Sequence, residues 1–298
     1  MNKNLFILAL TIFQFSSIAA QDSEYTKEIE AWDAKRIANL KNENGFLNLA
    51  GLFWLNAGKN SFGSDSSNQI VFPKNKIEAK AGYYIYTDST VLLVADKNAD
   101  IRIKDRKIKQ EIIYNVDSVT NPVLSHGSLR WNIIRRGEMV GIRLHDLEHP
   151  NVKNFHKIPR YQVQENWKIS ATFQPSIIGK TINITDVLGQ TQAQKSPGKL
   201  LFKIEGKAYS LDVLEGGEND YFVIFADATN GAETYPSGRF VYVPKPGEDD
   251  KTSIDFNKSY NPPCAFTPYA TCPLPPKQNA LPIEVKAGEK FDGENAVK

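Results

Sequence analysis

The chain has 298 residues, and its 36 basic and 34 acidic side chains leave a formal net charge of only +2. Charges of both signs are interspersed, so no basic patch of the kind that nucleic-acid phosphates demand is present. The length suits one large β domain or two small ones, with an ample core.

Residues Met1 to Ala20 (MNKNLFILALTIFQFSSIAA) combine one lysine, an apolar run from Leu5 to Phe15 and small residues closing at Ala19-Ala20. The pattern predicts a secretory signal peptide cleaved after Ala20, and hence a periplasmic or secreted protein. The apolar run falls short of the roughly 20 residues a spanning helix needs. No cysteine sits beside the cleavage site to carry a lipid, and no other run of membrane length is expected in the mature chain.

Within residues 21–45 an amphipathic helix is predicted. Tyr25, Ile29, Trp32, Ile37 and Leu40 fall near one helical face, with Asp22 or Ser23 as the cap and Asn44-Gly45 as the stop. From residue 46 to 298 the reading is β. Runs rich in Val, Ile, Tyr, Phe and Trp recur at 46–55, 69–72, 83–87, 91–95, 111–116, 129–136 and 139–145. They continue at 168–173, 181–185, 200–204 and 221–226, broken by Gly, Pro, Asn and Asp. Short strands without helical patterns between them predict an all-β sandwich or barrel, and the lack of an internal repeat argues against a propeller. RIKDRKIK (102–109) reads as a solvated strand face. Strand signals lapse at EHPNVKNFHKI (148–158), which marks a boundary between two β-rich halves of one architecture.

Four stretches carry candidate chemistry. LNAGKNSFGSDSSNQIVFP (55–73) resembles the opening of a forkhead-associated domain, yet Ser64 stands where that family has arginine, and Lys80 to Tyr86 offers no serine or histidine. A plain hairpin is the expectation there. HDLEH (145–149) matches the spacing of inverted zinc peptidases, but a strand pattern runs into it and Pro150 disfavours helix at His149, so no metal site is expected. DATNGAETYPSGR (227–239) brings Asp227, Glu233, Tyr235 and Arg239 onto one turn-rich loop. There an Arg fork could clamp an anion, with Glu or Tyr as acid or base, and Asn230-Gly231 would reverse the chain. The structural alternative is a scaffold loop held by an ion pair between Glu233 and Arg239.

The fourth stretch, NPPCAFTPYATCPLPP (261–276), holds both cysteines and six of the sixteen prolines. In an oxidising compartment Cys264 and Cys272 are expected to form a disulfide, with a packed reduced pair and a functional thiol as the alternatives. A metal clasp lacks two further ligands. The prolines predict an ordered, non-repetitive lid laid across a sheet edge, anchored by Phe266, Tyr269 and Leu274.

Together, GLFWLNAGKNSFGSDSSNQIVFP, GIRLHDLEHP, SPGKL (196–200), FADATNGAETYPSGRF and DFNKSYNPPCAFTPYATCPLPPKQNALPIEVKAGEK resemble the domain-of-unknown-function family 1684 from about Trp32 to Lys290. The resemblance implies a functional Arg143 and Asp146, where that family favours arginine and aspartate. Thr234, Tyr235, Gly238 and Arg239 match its T-Y-G-x-G-R loop, from which Pro236 departs. Asn261, at the head of the cysteine segment, joins Arg143 and Asp146 as a ligand-binding candidate. Two functions are compatible with these residues, and neither requires a cofactor. One is an exported hydrolase or transferase whose pocket lies under the C-terminal lid, with Asp227, Glu233, Tyr235 and Arg239 catalytic. The other is a non-catalytic small-ligand-binding or structural module of the cell envelope.

Overall fold

A computed structural model describes residues 12–118, 121–291 and 293, with the backbone alone for 12–23. Residues 1–11 of the expected leader therefore lie outside the described residues. After one N-terminal helix the regular elements are mostly β-strands, so the all-β class is met. It divides into two compact units: an inserted unit of residues 39–156 and 266–270, and a flanking unit formed by the residues before, between and after those segments. No helix of the described residues is long and apolar enough to cross a membrane.

The inserted unit contains β1 (Leu49–Trp54), β2 (Gly58–Gly63), β3 (Ile70–Val71), β4 (Gly82–Tyr86), β5 (Thr90–Ala95), β6 (Arg102–Ile103) and β7 (Arg106–Lys107). It continues with β8 (Gln110–Asn115), β9 (Leu124–His126), β10 (Leu129–Arg136) and β11 (Met139–Asp146). They form two sheets, ordered β1-β11-β10-β9-β6-β7 and β3-β2-β4-β5-β8. Side chains alternate across a strand, so Leu129, Trp131 and Ile133 of β10 turn inward opposite Leu144 and Ile142 of β11. Phe62, Tyr84, Val91 and Leu93 of the second sheet belong to the same buried core. Burying such a side chain contributes about 1.5–3 kcal/mol. The exposed tip Arg102 to Lys107 forms the short β6–β7 pair, flanked by buried Ile101 and Ile108, as a solvated strand face requires.

The hairpin expected over 55–73 does not form. Phe62 and Gly63 pair in parallel with Ile70 and Val71, while β2 takes β4 as its antiparallel partner. The Asn68 amide explains the redirection: it donates to the Asp65 and Ala79 carbonyls at 2.9 and 2.7 Å and holds the loop in a crossover. His149 lies outside any helix, as expected from Pro150. Pro150 itself opens a short helix, α2 (Pro150–Asn154), capped by the His149 ring, a position where proline's missing N–H costs nothing.

The flanking unit begins with the N-terminal helix α1 (Ile12–Lys41), which runs through the expected cap at Asp22 and starts at least ten residues earlier. Its strands are β12 (Lys168–Pro175), β13 (Thr181–Thr185), β14 (Thr191–Lys195), β15 (Gly198–Ile204), β16 (Lys207–Glu215), β17 (Asp220–Phe225), β18 (Arg239–Pro244) and β19 (Lys251–Asp255). Six of them form one antiparallel sheet, β18-β17-β16-β15-β12-β19, and β13–β14 is a separate hairpin. The Thr252 hydroxyl of β19 donates to the Pro244 carbonyl of β18 at 2.7 Å. The sheet's two outer strands thus meet, and the architecture is barrel-like. Inside lie Phe173, Leu200, Leu211, Val213, Val223, Phe225, Val241, Val243 and Phe256. The alternate residues Ile224 and Phe240 point outward under Ile182 and Ile184 of the hairpin.

The proline-rich segment is a lid in the sense expected. The Leu274 N–H donates to the Thr185 carbonyl and the Cys272 carbonyl accepts from Val187, which ties the segment to the β13–β14 hairpin. Beyond it, the Asn279 side chain accepts from Asp212 N–H and donates to the Asp212 and Ile224 carbonyls, all within 2.9 Å. It supplies ladder bonds where β16 and β17 have diverged. Phe266 is buried edge-on against Phe155, while Tyr269 and Leu274 are half-buried. Cys264 and Cys272 lie at disulfide distance, with Cα atoms 6.1 Å apart. Closing so short a loop is expected to stabilise the fold by about 2–3 kcal/mol. Thiol titration of the denatured, unreduced protein should find none, and reductant should lower the urea midpoint. Two free thiols in the unreduced sample, or an unmoved midpoint, would contradict the staple.

Candidate functional site

The loop Asp227–Arg239 follows β17 and leads into β18. Arg239 and Asp227 have fully buried side chains, and the guanidinium Nη2 meets the Asp227 carboxylate at 2.7 Å. The same fork donates to the carbonyls of Val285, Ala287 and Glu289. Asp227 is equally committed: its second oxygen accepts from the Thr229 N–H and hydroxyl, at 2.9 and 2.6 Å, and from the Val285 N–H. Glu233 faces outward to Lys290 at 3.0 Å, and that contact holds its carboxyl below the usual range. The Tyr235 ring lies half-buried, edge-on to Phe291 at 5.0 Å. The four loop residues of the sequence reading are thus divided between a buried pair and two outer contacts. Arg239 does grip a carboxylate and three carbonyls, all supplied by its own chain.

Asn261 belongs to a neighbouring buried network. Its N–H donates to the Glu289 carboxylate at 2.7 Å, its side-chain amide donates to the Lys290 carbonyl, and Arg36 of α1 reaches both Glu289, at 3.2 Å, and the Asn261 carbonyl. Glu289 is wholly buried, and this burial raises its pKa above the ordinary 4.5 despite Arg36. The folded chain therefore takes up this proton at higher pH than the unfolded chain does. The resulting stability is complete below 4.5 and is lost as pH rises through the folded value. The Tm difference between Glu289→Gln and wild type is expected to shift in the mutant's favour as the pH rises above 4.5. A difference that stays constant over this range would show that Glu289 does not titrate there.

An open cavity of 480 Å³ lies elsewhere on the flanking unit, between α1 and the outer ends of β18, β19 and β12. Glu28 and Trp32 come from the helix; Lys168, Asp220, Tyr242, Ser253, Asp255, Lys258 and Tyr260 come from the sheet and its exit. Helical spacing and strand alternation explain the placement. Tyr25, Ile29, Trp32 and Arg36 share a face of α1, on which Tyr25 and Ile29 are buried. The Tyr25 hydroxyl fixes the helix by donating to Asp255 at 2.7 Å, and Lys258 bonds Glu28 at 2.6 Å. On β18, Val241 and Val243 point to the core, so Tyr242 points out. The Tyr242 and Tyr260 rings are nearly parallel at 6.1 Å, and Trp32 lies 6.4 Å from Tyr260. Tyr242 remains 47% exposed, an unusual position for a ring beside two others. Burial pushes the Tyr260 hydroxyl well above its usual pKa, so it stays protonated. Asp220 is half-buried and makes no side-chain hydrogen bond or ion pair among the described residues. Asp255 has one buried carboxylate oxygen without a hydrogen bond. A larger concavity of 740 Å³ between Tyr25–Glu30 and Gln162–Asn166 is lined almost entirely by polar side chains and holds no such array of rings.

Residues 153–290 match the model of a family described as Protein of unknown function (DUF1684). The DUF1684 resemblance holds over that stretch. The first half of the span read from the sequence, from Trp32 to residue 152, lies outside the matched residues. In structure, the chain is similar to the solution NMR structure of the uncharacterized protein from gene locus rrnAC0354 of Haloarcula marismortui. The identity is 25% and the TM-score 0.41, over 49% of this chain and 82% of that one. No curated protein matches the chain.

Arg143 and Asp146 fall outside the DUF1684 stretch and in the inserted unit. Burial lowers the pKa of Arg143, and its Nε has no hydrogen-bond partner. Asp146 accepts from the Ser128 hydroxyl at 2.7 Å and pairs with Lys76 at 3.4 Å; burial opposes its ionisation, but these contacts hold its pKa below the usual range. His145 is buried against the Asn48 side chain at 2.6 Å, and burial pushes its pKa down to about 4. Among the described residues no three His, Cys, Asp or Glu side chains cluster as metal ligands.

Within the DUF1684 stretch, the sequence reading passed over Tyr242, Tyr260, Asp220, Asp255, Lys168 and Lys258. One signal was available: in RFVYVP the valines alternate with Tyr242, which sets an aromatic ring on the outer face of a strand.

Proposed function

We propose that the protein is exported and works as a non-catalytic binder of a small molecule, held in the groove between Trp32, Tyr242 and Tyr260. The observation that carries this reading is the groove itself: three aromatic rings, two lysines and three carboxylates around 480 Å³, within the roughly 300–1,000 Å³ of small-ligand pockets. The loop of Asp227 and Arg239 is better read as scaffold, because both terminal guanidinium nitrogens and both Asp227 oxygens are already bonded within the chain. Catalysis at that loop would require breaking the Arg239–Asp227 pair to admit a substrate.

The test is a thermal-shift screen of small metabolites on wild type and Tyr242→Ala. Tyr242 is about half exposed and packs on Phe222 and Tyr260, so the variant should fold and melt slightly below wild type while losing the shifts. Hits that persist unchanged in Tyr242→Ala would place binding elsewhere. Export is tested in the native host, where the mature chain should begin near Gln21; protein recovered with Met1 intact would end that part of the proposal.

A further inference from the structure

Assuming that the groove binds a ligand at all, its charges restrict what the ligand is. Glu28, Asp220 and Asp255 stand against Lys168 and Lys258. Lys258 is already held by Glu28, and it lies 3.6 Å from Asp255. A cation would meet these ammonium groups and an Arg36 guanidinium stacked 4.5 Å over the Tyr260 ring, the surface that a cation–π contact would use. An anion would meet three carboxylates. Neither sign of charge is favoured.

What the groove does offer is a mixture. The Asp220 carboxylate accepts hydrogen bonds; the Lys168 ammonium and the Ser253 hydroxyl donate them. Both kinds surround the exposed face of Tyr242. A pyranose ring fits this mixture: its C–H face stacks on an aromatic ring while its equatorial hydroxyls both donate and accept around the rim. We infer that the groove recognises a neutral saccharide, stacked on the exposed side of Tyr242 and hydrogen-bonded through Asp220.

The experiment is calorimetric titration with cellotetraose, maltotetraose and chitotetraose as neutral probes, and with choline and benzoate as charged ones. It uses wild type, Tyr242→Ala, Tyr242→Phe and Asp220→Asn. At least one saccharide is expected to bind wild type. Tyr242→Ala should weaken that binding by about tenfold, the scale of one aromatic stacking contact, and Tyr242→Phe should restore it to within about threefold. Asp220→Asn should also weaken it without altering the melting temperature. If choline or benzoate binds in a Tyr242-dependent way and no saccharide does, the groove is a binding site but the saccharide assignment is wrong. If no probe binds, both the assignment and the groove reading fall. Saccharide binding that Tyr242→Ala leaves intact would remove the sugar from this groove.

Discussion

Arg239→Ala is expected to destabilise the flanking unit by about 3–5 kcal/mol, the range for removing one partner of a buried ion pair. The loss has two sources. Asp227 would be left as a buried carboxylate with no counter-charge, and the Val285, Ala287 and Glu289 carbonyls would lose their donor together. For a chain of this size the melting temperature should fall by about 10 °C. Arg239→Lys should lie between, because an ammonium reaches Asp227 but cannot fork to three carbonyls. Neither variant should alter the affinity of any ligand held at Tyr242, measured below its melting transition. An Arg239→Ala protein that melts like wild type yet binds nothing would make Arg239 a ligand contact and sink the scaffold reading.

Gly238→Ala is the second large effect. Gly238 has φ = 86°, a left-handed conformation that costs an L-residue about 1–2 kcal/mol by itself. A Cβ at this position would also come within 2.6 Å of the Phe225 carbonyl oxygen and press into the Pro275 ring. Neither neighbour can turn away, since one is backbone of a core strand and the other a closed ring. A total cost on the order of 3 kcal/mol or more is expected. Gly231, also left-handed at 82°, has nothing within 4 Å of such a Cβ. Gly231→Ala should therefore cost only the backbone part, about 1–2 kcal/mol. Urea melts of the two variants side by side separate the terms; equal losses would mean that Pro275 and Phe225 yield freely.

The fold class was legible because most strands announce themselves by period. LRWNIIRR became β10 residue for residue, since its alternating Leu129, Trp131 and Ile133 can be buried only on one side of a strand. One of the strands missed, β14, lacked that signal. All of β14, TQAQK, is exposed and has no apolar alternation; it is a strand only because β13 pairs with it. The start of α1 was misplaced because Asp22 and Ser23 are good caps only where a helix begins, and here the helix continues upstream.

The candidate site was less legible. A loop crowded with Asp, Glu, Tyr and Arg has the composition of a site. Whether such groups are free or spent on one another depends on Val285 to Glu289, some fifty positions away, and sequence proximity says nothing of that. The groove suffers from the converse problem. Trp32, Asp220, Tyr242 and Tyr260 come from four separate segments, so no local window contains them.

The helix that opens the flanking unit has a consequence for the order of assembly. Tyr25 bonds Asp255 across 230 positions, and Arg36 reaches Glu289 across 253. Contacts this distant in sequence carry a large loop-closure cost before any burial rewards them, and they make folding slow. Strands β1 to β11, by contrast, pair within one continuous stretch and can assemble while the remainder of the chain is still emerging. During synthesis or translocation, α1 must wait as an unsatisfied amphipathic segment until Glu289 is available. This interval is the one in which the nascent chain is most exposed to holdase chaperones and to aggregation.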